Sequence, residues 1–161
     1  MPTPTPSDPP HLRIAIVASS WYEEIVQSLV RGARDAFHEA SRDGGGRLTV
    51  INCPGTWEIP LAVMTAWETL DPVPDAFVAL GCVIKGETSH DRWINAAVCT
   101  TLADLSVRMG LPVALGVLTC DTMAQAKARA GGDRGNKGSD AMKAAMEQVM
   151  VLRTLSWDRL P

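Results

Sequence analysis

The sequence predicts an α/β three-layer sandwich, with a central parallel sheet of four strands and helices on both faces. Three observations predict it. Four short apolar runs, rich in β-branched residues, are each bounded by Gly, Pro or polar turn residues. Longer stretches with helical periodicity separate them. The two kinds alternate, and strands alternating with helices imply parallel strands, right-handed crossovers and a sheet covered on both sides. The 161 residues suit one domain with a sizeable core.

The first ten residues, MPTPTPSDPP, hold five prolines and suit neither a helix nor an inner strand. Residues 1–11 read as a flexible, proline-rich arm, and 12–161 as the single domain. Leu12 to Ser19 is the first strand. An amphipathic helix follows to about Ala40, with Val26, Val30, Ala33 and Phe37 inward. Asp43-Gly44-Gly45-Gly46 breaks it. Leu48 to Cys53 is the second strand. Pro54-Gly55-Thr56 turns into a helix from about Trp57 to Leu70, with Trp57, Leu61, Met64 and Trp67 on one face and Pro60 tolerated in the first turn. Ala76 to Ile84 is a third, buried strand. Thr88 and Asp91 have the spacing of a capping box for a helix from Ser89 to about Met109, with Ile94, Val98, Thr101, Leu102 and Leu105 inward. Leu111 to Leu118 is the fourth strand. Thr122 and Gln125 form a second capping box, for a short helix ending near Gly131. Gly131 to Gly138 is a loop rich in glycine and positive charge. Ser139 caps a last helix to about Trp157.

Ligands of such sheets sit beyond the C-terminal ends of the strands. Three loops converge there. Trp21 follows the first strand, as a core residue or as a flat surface for an aromatic ring. Glu58 follows the second, as a partner of the helix dipole or as an acceptor for ligand hydroxyls. The stretch LGCVIKGETSH, Leu80 to His90, follows the third. Its turn at Lys85-Gly86 opens a helix N-terminus whose backbone N–H groups suit an anion such as phosphate. His90 beside them suits proton transfer near neutral pH. A strand–Gly–helix turn alone is common in α/β proteins and most bind nothing; the convergence of three loops carries the site.

Composition excludes several classes. A net charge of −3 argues against a nucleic-acid binder. The nine-residue apolar run Ala76 to Ile84 is too short to span a membrane. Cys53, Cys82, Cys99 and Cys120 form no CxxC pair and have no histidine at metal-ligand spacing, so they read as free thiols and no metal is expected. The N-terminus has neither the basic nor the apolar segment of a signal peptide, which makes a cytoplasmic protein the expectation.

Four stretches together resemble the 6,7-dimethyl-8-ribityllumazine synthase family of riboflavin biosynthesis: PGTWEIP (Pro54 to Pro60), LGCVIKGETSH, PVALGVLT (Pro112 to Thr119) and QAKARAGGDRGNKG (Gln125 to Gly138). They occur in the family's order and spacing, and the resemblance runs from about residue 12 to 155. It implies a flavodoxin-like fold and a condensation of a ribitylamino-substituted diaminouracil with 3,4-dihydroxy-2-butanone 4-phosphate. Imine formation, loss of phosphate and ring closure need no cofactor. It also implies roles. Trp21 stacks on the pyrimidine. Thr56, Trp57 and Glu58 hold the ribityl chain. Cys82, Val83 and Ile84 contact the pyrimidine edge through their backbone. Gly86, Glu87 and Thr88 cradle the phosphate, His90 transfers protons, and Arg129 pairs with the phosphate, a task suited to a fork of donors. Leu115 and Lys137 approach from an adjacent subunit.

The chain departs from the family's pattern in three places. An aromatic and then an acid usually follow the histidine; here they are Asp91, Arg92 and Trp93. Leu115 stands where phenylalanine is common, and Tyr22 where Asn or His is frequent. The family builds pentamers, and the short Arg129 to Gly138 segment resembles that of members whose pentamers close into a sixty-subunit shell. Self-association, small-molecule substrates and riboflavin synthase as a partner are therefore expected, with no nucleic acid or membrane. Three competing readings are a scaffold that has lost the chemistry, a flavodoxin-like flavin- or nucleotide-binding module, and the related archaeal-type riboflavin synthase. His90, Glu58 and Arg129 together argue against the first. The absence of glycine in SSWYEE argues against the second, and PGTWEIP with the GNKG stretch against the third.

Overall fold

The structure is a computed structural model that describes residues 11–41 and 45–157. The proline-rich arm up to residue 10, Asp43 and Gly44 of the helix-breaking turn, and the last residues of the domain lie outside the described residues.

Four parallel strands form the main sheet in the order β2-β1-β3-β4: β1 (Arg13–Ser19), β2 (Arg47–Cys53), β3 (Ala76–Ile84) and β4 (Val113–Cys120). In β3 every residue before Ile84 is buried, as a central strand covered on both faces requires. Helices α1 (Glu23–Ala40) and α5 (Lys137–Trp157) cover one face. They pack Val26, Leu29, Ala33 and Phe37, with Met142 and Val149, on Ile14, Ile16, Val78 and Leu80. Helices α2 (Ile59–Thr69) and α3 (His90–Met109) cover the other, with Ile59, Val63, Val98 and Leu102 on Ala15, Val17, Phe77 and Ala79. Each fully buried Leu, Ile or Phe contributes about 1.5–3 kcal/mol. The three layers are those expected from the sequence.

Several local expectations are corrected. On α2 the buried stripe is Ile59, Val63 and Ala66; Trp57 and Leu61 point outward. On α3, Thr101 is exposed and donates back to the Ala97 carbonyl. Both helices carry large apolar side chains on two sides, so periodicity alone does not choose the inner face. Strand β4 lies two residues later than expected. The Gly131 to Gly138 loop contains a small antiparallel hairpin, β5 (Ala130–Gly132) with β6 (Gly135–Asn136), which follows the short helix α4 (Met123–Arg129). Ser139 does not cap α5. Asn136 does, its Oδ1 accepting from the Gly138 and Ser139 amides at 2.9 and 3.1 Å. Its Nδ2 donates to the Ser28 carbonyl, and the Ser28 hydroxyl donates to the Ala130 carbonyl, so the hairpin is laced to α1. The Thr122 cap is made, accepting from the Gln125 amide at 3.2 Å.

At the N-terminal end of the sheet, the Asp75 carboxylate accepts from the Arg13 backbone amide at 2.8 Å and from the Arg13 and Arg153 guanidiniums at 3.3 Å. Burial alone would raise this carboxyl. The hydrogen bonds and charge of Arg13, with the charge of Arg153, outweigh it and hold Asp75 below the ordinary aspartate range. One side chain thus ties β1, the entry to β3 and α5 together.

Candidate active site at the C-terminal edge of the sheet

Strand β1 ends at Ser19, and the next residue is tied to β2: the Ser20 amide and hydroxyl both donate to the Cys53 carbonyl, at 2.9 and 3.1 Å. This brings Trp21 over the Pro54-Gly55 turn. Trp21 is 70% exposed, which removes its reading as a core residue. Tyr22 then starts α1 with φ 55°, in the left-handed region that Asn and His enter more readily than Tyr.

The turn after β2 delivers Glu58 within a single 3-10 turn, Thr56–Glu58. Glu58 makes no side-chain capping bond to α2. Its carboxylate folds back over Gly55, where a Cβ would lie 2.8 Å from Glu58 Oε2 and 3.8 Å from the Trp21 ring. Carboxylate and indole are therefore neighbours because residue 55 has no side chain. Trp57, beside them, points into solvent.

Below lies a polar floor that joins Thr56, expected at the site, to Ser19, which was not. Ser19 and Thr56 are buried, and both hydroxyls face Gly81, where any Cβ would press on them. Thr56 donates to the Cys82 carbonyl at a long 3.5 Å, and the Ser19 hydroxyl has no partner among the described residues. A serine ending an apolar strand gave no periodic signal; the only hint was its place just before Trp21.

Strand β3 brings Cys82 and Val83, both buried, and half-buried Ile84 to the same edge. The Cys82 thiol is pushed up to about 12 by burial, with Cys120 adding to it, and Cys53 to about 11 by burial and the charge of Glu58. Both are protonated at neutral pH and are not nucleophiles. Gly86, Glu87 and Thr88 form an exposed turn that leads into α3. The expected Thr88 capping box is not formed. The helix starts at His90, preceded by Ser89 at the N-cap position with no side-chain capping bond, and the Thr88 hydroxyl instead meets His90 Nδ1 at 3.0 Å. The imidazole rests against Gly86, with Cε1 3.0 Å from where a Cβ would stand.

The remaining candidates lie elsewhere in the same chain. Arg129 ends α4, near Cys120, in the layer of α1: Ala126 joins that core and Lys127 Nζ approaches Glu24 at 3.8 Å. Glu58 and His90 belong to the α2 and α3 layer. Leu115 stands mid-strand on the edge strand β4, opposite Ala79 and 52% exposed. Lys137 begins α5 and pairs with Asp140 at 2.7 Å. One chain thus brings Trp21, Thr56, Glu58, Gly86, Thr88 and His90 to the ends of three adjacent strands, while Arg129 stands in the α1 layer, Leu115 in the middle of β4 and Lys137 at the start of α5. A groove of about 390 Å³ beside β2 and α2 takes in Glu58 but neither Trp21 nor His90. Among the described residues no group of three or more His, Cys, Asp or Glu side chains could hold a metal, and no helix is long and apolar enough to cross a membrane.

Comparison with known proteins shows the family. Residues 11–153 match the family model described as 6,7-dimethyl-8-ribityllumazine synthase. The protein of that name from Pseudarthrobacter chlorophenolicus is 43% identical over 156 residues, covering 96% of this chain and 92% of the relative. The one from Rhodopirellula baltica is 42% identical over 142 residues, 88% and 90% of the two chains. The one from Streptomyces coelicolor is 40% identical over 148 residues, 90% and 88%. With an aromatic, a carboxylate and a histidine-bearing turn gathered at one sheet edge, and a match along nearly its whole length, the chain belongs to the 6,7-dimethyl-8-ribityllumazine synthase family, transferases of riboflavin biosynthesis.

Proposed function

We propose that the protein condenses 5-amino-6-(D-ribitylamino)uracil with 3,4-dihydroxy-2-butanone 4-phosphate, releasing phosphate, water and 6,7-dimethyl-8-ribityllumazine. The observation that carries the reading is that the C-terminal ends of three adjacent parallel strands, β1, β2 and β3, deliver Trp21, Glu58 and the Gly86–His90 turn in a chain of this family. Trp21 offers its exposed face to the pyrimidine. Thr56, Trp57 and Glu58 surround the ribityl chain, with Glu58 accepting from its hydroxyls. Backbone groups of Cys82, Val83 and Ile84 meet the pyrimidine edge. The amides from Gly86 to Thr88 face the phosphate, and His90 carries protons between the condensing groups.

The site is completed by a second copy of the chain, which supplies Arg129 to the phosphate and Leu115 and Lys137 to the pocket wall. Their placement away from His90 within one chain supports this. So do the large apolar side chains left exposed on α3 and β4: Trp93 at 74%, Val107 at 83% and Leu115 at 52%. The assembly is at least a pentamer, with a sixty-subunit shell the favoured form and riboflavin synthase as a partner in the cytoplasm. The testing experiment is a turnover assay with both substrates, corrected for the uncatalysed condensation, beside light scattering. Product formation by an assembled protein is expected. An assembled protein that makes lumazine no faster than background overturns the activity, and a stable monomer overturns the shared site.

A further inference from the structure

We propose that the Thr88 hydroxyl decides which nitrogen of His90 carries the proton, and that phosphate seated on the Gly86–Thr88 turn fixes that decision. The inference rests on the reading of this turn as the phosphate site. Its own basis is the 3.0 Å contact between Thr88 Oγ1 and His90 Nδ1.

A hydroxyl has one proton to donate and two lone pairs that accept. A neutral imidazole has one N–H and one bare nitrogen. The Thr88–His90 contact can therefore be made in two ways. In the first, Thr88 donates to bare Nδ1, and the ring proton sits on Nε2, which then has no lone pair for a substrate proton. In the second, Nδ1–H donates to Thr88 Oγ1, and Nε2 is bare and basic. The empty turn permits both. A phosphate oxygen beside Thr88 changes the balance, because a hydrogen bond to an anion is roughly twice as strong as a neutral one. The single hydroxyl proton goes to the phosphate. Only lone pairs remain for His90, so Nδ1 must keep its proton and Nε2 becomes the base.

The arrangement stays consistent through proton transfer. When Nε2 takes a proton from the condensing substrates, the imidazolium has N–H groups on both nitrogens, and Thr88 still accepts from Nδ1. When phosphate has left the substrate and departed, the hydroxyl proton is free again. His90 thus becomes a base when the phosphate-bearing substrate is in place. The exposure of Gly86, Thr88 and His90 leaves the turn open to that ligand. The ring's position against Gly86 holds Nδ1 over the turn, so a side chain at residue 86 would displace it. Thr88 is a positioning residue in this scheme, acting through His90.

The test is solid-state 15N NMR of the sedimented, histidine-labelled protein, with and without saturating inorganic phosphate. The chain has three histidines, and the His90 signals are those lost in His90→Gln. Contacts from 31P to the 15N amides of residues 86–88 report phosphate on the turn. Phosphate is expected to move His90 to the Nδ1–H form in the wild type and in Thr88→Ser. In Thr88→Val it is expected to bind with the tautomer ratio unchanged. In turnover, Thr88→Val should lose about tenfold in kcat, less than removal of the histidine itself, while Thr88→Ser keeps its rate. Phosphate contacts without a change of tautomer in the wild type, or an undiminished change in Thr88→Val, overturn the proposal alone. Absence of phosphate contacts at saturation overturns the phosphate reading of the turn, and the proposal with it.

Discussion

At the N-terminal end of the sheet the Asp75 carboxylate is enclosed by an amide and two guanidiniums. At the C-terminal end Glu58 folds over a glycine, the Ser19 hydroxyl is buried without a partner among the described residues, and Tyr22 holds a left-handed backbone. The first end satisfies its polar groups within the chain and so contributes to stability. The second leaves polar and aromatic groups available, which a binding edge requires and stability alone would not select. Substitutions at the two ends should therefore divide between unfolding and turnover.

The largest effect tests that division most directly. His90→Ala should lower kcat by about 100-fold or more, the range of a positioned proton-transfer group. Its thermal midpoint should stay near that of the wild type, since His90 is exposed. A collapse of the midpoint in scanning calorimetry would break the comparison. At the opposite end, Asp75→Asn should lose about 1–2 kcal/mol of stability in denaturant titration, allowing for the partial exposure of both arginines, and keep kcat in the assembled protein. The sign with pH follows from the lowered carboxyl. The Asp75 contribution is complete above the ordinary aspartate range, near about pH 4, and is lost as pH falls through its lower folded value. The stability gap between wild type and Asp75→Asn should therefore close on acidification below that range.

Asn136→Ala sharpens the contrast, because Asn136 is a fully engaged polar group in the hairpin that follows Arg129. It should cost about 1 kcal/mol through the lost α5 cap. It should also raise KM for the butanone phosphate through loosened anchoring of the hairpin next to Arg129. The smallest effect is Tyr22→Asn, which relieves a left-handed tyrosine. It should raise stability by about 0.5–1 kcal/mol, read from the denaturation midpoint.

Much of this architecture was legible in the residues. The third strand lies where its apolar run places it, and β1 and β2 begin within a residue of expectation, because β-branched runs between turn residues have few other ways to be buried. The candidates Trp21, Glu58, Gly86 and His90 were readable because each follows a strand end. Less was legible where a residue had two local options. Thr88 could cap α3 or bond the histidine two residues on, and Ser139 and Asn136 competed to cap α5. In both, a hydrogen-bonding geometry of the folded backbone made the choice. The outward turn of Trp57 and Leu61 was hidden because α2 is apolar on both sides.

The sequence by itself determined the alternation of strands and helices, the parallel sheet, and the edge at which an aromatic, a carboxylate and a histidine would meet. Periodicity and turn chemistry are local properties, and strand order in such folds is tightly restricted. Only the tertiary structure decided that Glu58 and Trp21 would both stand over Gly55, that Ser19 and Thr56 would share a floor at Gly81, that Thr88 would engage His90, and that Arg129 would stand in the opposite layer. Those are contacts between residues distant in the chain or between competing hydrogen bonds. They are fixed only when packing sets the distances at which one partner excludes another.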